Sequence, residues 1–310
     1  MDSSLIRVIL ATLGGYLLIL FFLSIHNWFI QEFPRRPAEV MNSERIQHPF
    51  HHQRAIEVLQ LFSLLSKPDR TAIQQNLNSN LISIEQWMTR LRQSNFQILC
   101  MGELHTESIR RFLSNEFFAK FNVDVLLLET TPRELNDLMK RMEAGRDYFP
   151  LLDADIMNIL RSVRNRNPDI KIYGIEETDK QSGEKNSQAN SRDQWIAKNF
   201  WTSFEPGLRH IILFGALHCM NESGWLFYNL YNQAPPKLRD KMLNVKVLEE
   251  HQNGTLEAFV YFINEIGVEK RNFVIPDTHS LSDHIYEWFP MLNHQILEKY
   301  ESLVVFSCIN

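Results

Sequence analysis

Two stretches decide how this chain reads: LCMGELH (99–105) and LFGALHC (213–219). Each is an apolar run that closes on Gly-x-x-His, from Gly102 to His105 and from Gly215 to His218. Short continuous apolar runs bounded by a turn signal fit strands covered on both faces. In open α/β sheets, ligands bind beyond the carboxyl ends of such strands. A glycine at that edge lets the backbone turn with positive φ or approach another group closely. The histidine three residues on then projects into the crevice. A third Gly-x-x-His, Gly207 to His210, opens an apolar run instead of closing one. It serves as an internal control and carries no function.

Working outward, strand-like and helix-like segments alternate. FQILCMG is followed by helical TESIRRFLSNEFFAKF, and VDVLLLE by TPRELNDLMKRMEAG. In the latter, Thr131 before Pro132 marks a helix start and Gly145 its end. DADIMNILRSVRNRN is helical, DIKIYGIEE a strand, RDQWIAKNFWTSF helical and LRHIILFG a strand. This order predicts an α/β fold with a mainly parallel central sheet flanked by helices. MLNVKVLEE, EAFVYFINE, RNFVIP and SLVVFSC are expected to extend the sheet, with a helix around 284–299. The polar segment 178–191 reads as a long loop ending directly before Arg192.

The other strand ends add acids. Glu103 lies inside the first motif, Glu129 closes VDVLLLE, and Glu176 and Glu177 close IKIYGIEE. Charges at the ends of apolar strands are costly unless paired or used. Two histidines with two or three carboxylates suit a divalent ion such as Zn, Mn or Co, with His105, His218 and Glu103 as candidate ligands. They equally suit a metal-free acid/base centre. Arg110, Arg111 and Arg192 could hold an anionic group or pair the carboxylates. His279 and His284 could approach the same edge, and His51 and His52 read as solvated.

Bulk composition narrows the function. The chain has 310 residues, 44% apolar and 22% charged, which is ordinary globular composition. A net charge of −5 with no basic, aromatic-interleaved stripe gives no general attraction for nucleic acid, so no nucleic-acid partner is expected. Three cysteines are too few and scattered for a disulfide framework, so Cys100 and Cys219 read as small buried hydrophobes.

The amino terminus differs from the rest. From Val8 to Gln31 there is no charged side chain. About 20 apolar residues suffice to cross a bilayer, and Trp28 and Phe29 would sit at its interface. No small-x-small cleavage site follows. The expected organisation is a transmembrane anchor in membrane lipid at 1–31, a linker at 32–52, a helical lead-in at 53–94 and the α/β domain at 95–310. Asn221-Glu-Ser and Asn253-Gly-Thr match the glycosylation pattern, a match too short to weigh.

The ordered set MGELHTESIRR, VDVLLLET, YGIEE, SRDQWIAKNF and LFGALH resembles a superfamily. That superfamily groups Tiki metalloproteases, TraB-like proteins, the haem-binding lipoprotein ChaN and erythromycin esterase. The resemblance covers residues 96–219. It implies that both Gly-x-x-His motifs share one site. Glu103, His105, Glu129 and His218 would be catalytic, with Glu176, Arg192, Asp193 and Arg111 in support. The expected function is a membrane-anchored hydrolase acting on a peptide or ester bond, with a divalent metal. The alternatives are a haem or small-ligand binding protein and a non-catalytic scaffold.

Overall fold

Why the two motifs are alike is answered by the strand order. The computed structural model describes residues 49–145, 151–183, 192–249, 254–268, 272–277, 280–289, 292 and 299–306. The strands are β1 (Ile98–Glu103), β2 (Val125–Leu128), β3 (Lys171–Gly174), β4 (His210–Gly215), β5 (Met242–Glu249), β6 (Phe273–Ile275) and β7 (Ser302–Phe306). They form one sheet in the order β3-β2-β4-β1-β5-β7-β6. All pairs are parallel except β6 with β7. β1 and β4 are therefore neighbours, and Glu103 stands opposite Gly215 in their register. Every residue of β1, β2 and β4 is buried, which is why their sequences run apolar without alternation.

Two apolar cores, one on each face, explain where a crevice opens. The helix after β1 (Glu107–Phe112, with a π-helical turn Leu113–Phe118) lays Ile109, Leu113 and Phe117 on one face. The helix after β4 (Leu226–Gln233) lays Leu226, Phe227 and Leu230 on the other. Adjacent parallel strands whose connections leave to opposite faces make the topological switch point where α/β sheets bind ligands. The pair β1–β4 is such a point, and both motifs end there.

The lead-in folds as three helices, Pro49–Leu64, Lys67–Asn80 and Ile84–Gln93. Ser83 and Gln86 cap the third reciprocally. Its Trp87, Met88 and Leu91 join one core, while Ala55, Val58 and Phe62 of the first helix join the other. The helix Pro132–Glu143 starts as its sequence predicts, with a Thr131–Glu134 capping box. EAFVYFINE departs from expectation: it lies within a helix, Gly254–Glu265, not a strand. Its Ala258, Phe259, Val260, Phe262 and Ile263 are all buried, and the unbroken apolar run from Ala258 to Ile263 masks the helical period. The expected anchor and most of the expected linker lie outside the described residues, but the last linker positions, 49–52, already belong to the first helix. Among the described residues no helix is long and apolar enough to cross a membrane.

The cysteines also depart from expectation. Cys100 of β1 and Cys219, directly after His218, form a disulfide with Cα atoms 5.5 Å apart. Spacing of 119 residues concealed the pair, because only the β1–β4 adjacency brings them together.

Candidate active site

Each motif glycine is required for close approach. Neither has a positive φ. A Cβ on Gly102 would meet the Ala216 Cα at 2.8 Å, because the turn Ala216–Cys219 folds back over β1. A Cβ on Gly215 would meet His105 Nε2 at 2.8 Å, Glu129 Oε2 at 3.4 Å and His218 Cδ2 at 3.5 Å. The absent side chain of one motif is thus the seat of the other motif's histidine. His105 itself has φ 53°, alone among the described non-glycine residues in that region. Such backbone strain costs about 1–3 kcal/mol and clusters at functional sites.

Around Gly215 the predicted residues converge. His105 Nδ1 is 3.2 Å from Glu103 Oε1, and Nε2 is 3.3 Å from Glu129 Oε2. The Gly215 N–H donates to Glu129 Oε2 at 2.7 Å. Arg192 donates from Nη2 to Glu129 at 2.7 Å and to Glu176 at 2.6 Å, and from Nε to Glu176 at 2.8 Å. His218 Nδ1 is 2.9 Å from Asp193 Oδ2, and Arg192 Nη1 is 3.0 Å from Nε2. These partners suit the tautomer in which Nδ1–H donates to Asp193 and Nε2 accepts from Arg192, with Glu129 Oε1 3.6 Å from Nε2. Trp225 and Phe214 stand edge-on to the buried His218 ring.

Arg111, expected in support, faces solvent and pairs with Glu107 one helical turn away. Its neighbour Arg110 takes the inward place. The buried Arg110 donates from Nε to Glu103 at 2.9 Å, and its Nη2 lies 2.8 Å from His105 Nδ1. His284 pairs with Glu287 and stacks on Trp288. His51 and His52 lie in the first helix, and His279 lies outside the described residues. The control motif behaves as one: His210 is fully buried at the start of β4, donating from Nδ1 to Leu208 O and accepting at Nε2 from Glu205 N–H.

Three groups that sequence reasoning missed hold the His218 turn in place. Buried Tyr300 donates to Ala216 O at 2.5 Å, buried Asn244 to Cys219 O at 2.8 Å, and the Cys100 disulfide clamps the turn to β1. Each comes from a distant segment, and no local signal marks them. Glu249 was legible as one more acid ending a strand; it accepts from Ser108 at 2.5 Å.

The charges are driven apart. Hydrogen bonds to Glu103 and Glu129 push His105 up to about 9 against the opposing effect of burial. Burial works against the Glu129 charge, but His105, the Gly215 N–H and Arg192 hold its carboxyl down at about 2. Near neutral pH one imidazole is a held acid and one carboxylate a fixed anion. Environments that separate titratable groups in this way assign acid and base roles.

A divalent ion does not fit the present arrangement of its candidate ligands. Arg110 holds Glu103, Arg192 fills the Nε2 position of His218, and His105 lies between two carboxylates. Among the described residues no group of three or more His, Cys, Asp or Glu is arranged to hold a metal.

No family model matches this chain. No curated protein matches it. Among solved structures, a Bacillus cereus protein aligns at 9% identity over 76% of this chain and 97% of its own, with a TM-score of 0.45. RRSP, a MARTX toxin effector domain from Vibrio vulnificus, aligns at 13% identity over 64% of this chain and 45% of its own, with a TM-score of 0.35. A structure described as bacterial protein toxins aligns at 13% identity, with a TM-score of 0.37; this chain spans 46% of its length.

Proposed function

We propose that this protein is a membrane-anchored hydrolase of ester or peptide bonds that works through a two-histidine acid/base pair. The observation that carries the reading is the opposed state of the two imidazoles. His218 has Asp193 at Nδ1 and Arg192 at Nε2, whereas His105 lies between the carboxylates of Glu103 and Glu129, which push it up to about 9 although Arg110 Nη2 also stands at its Nδ1. Glu129 is held by His105, the Gly215 N–H and Arg192, and Glu103 by Arg110, so the role of activating water is assigned to His218 rather than to either carboxylate.

In this mechanism a water takes the place of Arg192 at His218 Nε2. Its oxygen bonds to the substrate carbonyl carbon as Nε2 takes its proton. The guanidinium of Arg192, turned toward the new oxyanion, stabilises it. The carbonyl then re-forms, the bond to the leaving oxygen or nitrogen breaks, and His105 gives that atom its proton. Products are an acid and an alcohol or amine. His105 regains a proton from solvent, and His218 loses one.

The uncharged segment before residue 32 supports a single-span anchor. The Cys100–Cys219 disulfide supports placing the domain on the oxidising side of that membrane. The test is turnover of p-nitrophenyl butyrate and of a fluorogenic peptide library by the full chain. His105→Ala and His218→Ala are each expected to lower kcat/KM by about 10²–10⁴-fold. Equal turnover by all three proteins would refute the proposal.

A further inference from the structure

We propose that Leu104 and Leu217 are specificity-determining residues, seating the apolar acyl chain of a neutral ester at the rim between β1 and β4. This deepens the hydrolase reading and rests on it. Among the described residues four large hydrophobic side chains are exposed: Leu61 and Leu64 on the first helix, Leu104 at 38% and Leu217 at 54%. The last two stand directly before His105 and His218. Because Glu103 pairs with Gly215 across the ladder, both leucines sit on the same carboxyl rim. Their neighbours Glu103, Ala216 and His218 are buried. The chain thus turns Glu103 and His218 inward, leaves His105 partly exposed, and sets an apolar group in water directly before each motif histidine.

Charge speaks for the same occupant. Glu103, Glu129, Glu176 and Asp193 face Arg110, Arg192 and a protonated His105, so the cluster nearly cancels. An anionic substrate would have to compete with carboxylates already held by both guanidiniums. A neutral carbonyl with an apolar tail meets no such competition, and it takes Leu104 and Leu217 out of water.

The test uses the full chain in lipid nanodiscs with carbon-13-labelled leucine methyls, assigned through Leu104→Val and Leu217→Val. The probe is 2-decanone, a neutral carbonyl compound that cannot be hydrolysed, against 2-butanone. The Leu61 and Leu64 methyls control for ketone carried by lipid. The Leu104 and Leu217 methyls are expected to shift at about tenfold lower concentration of the longer ketone, since each added CH2 strengthens apolar burial. In parallel, Leu104→Ser/Leu217→Ser is expected to lower the octanoate-to-acetate ratio of kcat/KM for p-nitrophenyl esters about tenfold. Unmoved methyls, or an unchanged ratio, overturn the seat. Shifted methyls with no turnover of either ester sink the hydrolase reading and leave the seat standing as a binding site.

Discussion

His105 rests on Gly215: a Cβ on that glycine would lie 2.8 Å from the ring's Nε2, closer than such contacts occur. The obstacle is the end of a partly exposed side chain, so the protein can yield by moving the imidazole. Gly215→Ala is therefore expected to fold with little change in Tm and to lose at least about tenfold in kcat/KM, because small displacements of a reacting group are expensive. Circular dichroism with ester turnover separates the two effects.

Gly102 gives the contrasting case. Its added Cβ would strike the Ala216 Cα at 2.8 Å, and that turn is tied down by Tyr300, Asn244 and a disulfide. Backbone cannot swing aside. Gly102→Ala is expected to cost about 1–3 kcal/mol of stability, visible as a lower urea midpoint before any effect on turnover is considered.

How much of this was legible in the sequence follows from range. Strands β1, β2 and β4 were readable because burial on both faces removes alternation, and Glu103, His105, Glu129 and His218 were readable because each ends such a run. Arg192 was readable as a cation able to pair the carboxylates and Asp193 through a resemblance, and the structure brings both to His218. Arg110 and Arg111 could not be told apart from spacing, since both follow His105 within two turns and only tertiary packing decides which faces in. The disulfide and the Tyr300 contact depend on strand order, which no local pattern encodes. EAFVYFINE lies in a helix although its six consecutive apolar residues, Ala258 to Ile263, have the look of a buried strand.

The disulfide yields its own prediction. Thiol titration of the unfolded chain is expected to find one thiol without reductant and three with it, from three cysteines in all. Cys100→Ser/Cys219→Ser is expected to lose about 2–5 kcal/mol, because the crosslink closes a long loop in the unfolded chain. Three free thiols in the oxidised protein would contradict the pairing.

Metal removal is expected to leave activity intact, since Arg110 holds Glu103 and the proposed activation of water uses His218 Nε2 without an ion. Elemental analysis of the full chain, with turnover before and after dialysis against a chelator, checks this. Activity lost on chelation and restored by Mn, Co or Zn would mean that Arg192 gives way to an ion.

The charge pattern fixes the pH response, and the two groups act in opposite directions. His105 is raised from its ordinary 6.5 to about 9, so its contribution to stability is full below 6.5 and disappears as pH climbs through 9. Glu129 is lowered from 4.5 to about 2, so its contribution is full above 4.5 and disappears as pH falls through 2. Both are present together between about 4.5 and 6.5, where the urea midpoint is expected to be highest. Glu129→Gln removes an anion that holds the His105 proton, so the alkaline limb of kcat/KM for p-nitrophenyl butyrate is expected to move to lower pH in that variant. Asp193→Asn leaves both His105 partners in place, so it is expected to lower kcat without moving that limb. An alkaline limb that stays fixed in Glu129→Gln would show that the proton governing turnover is not the one on His105.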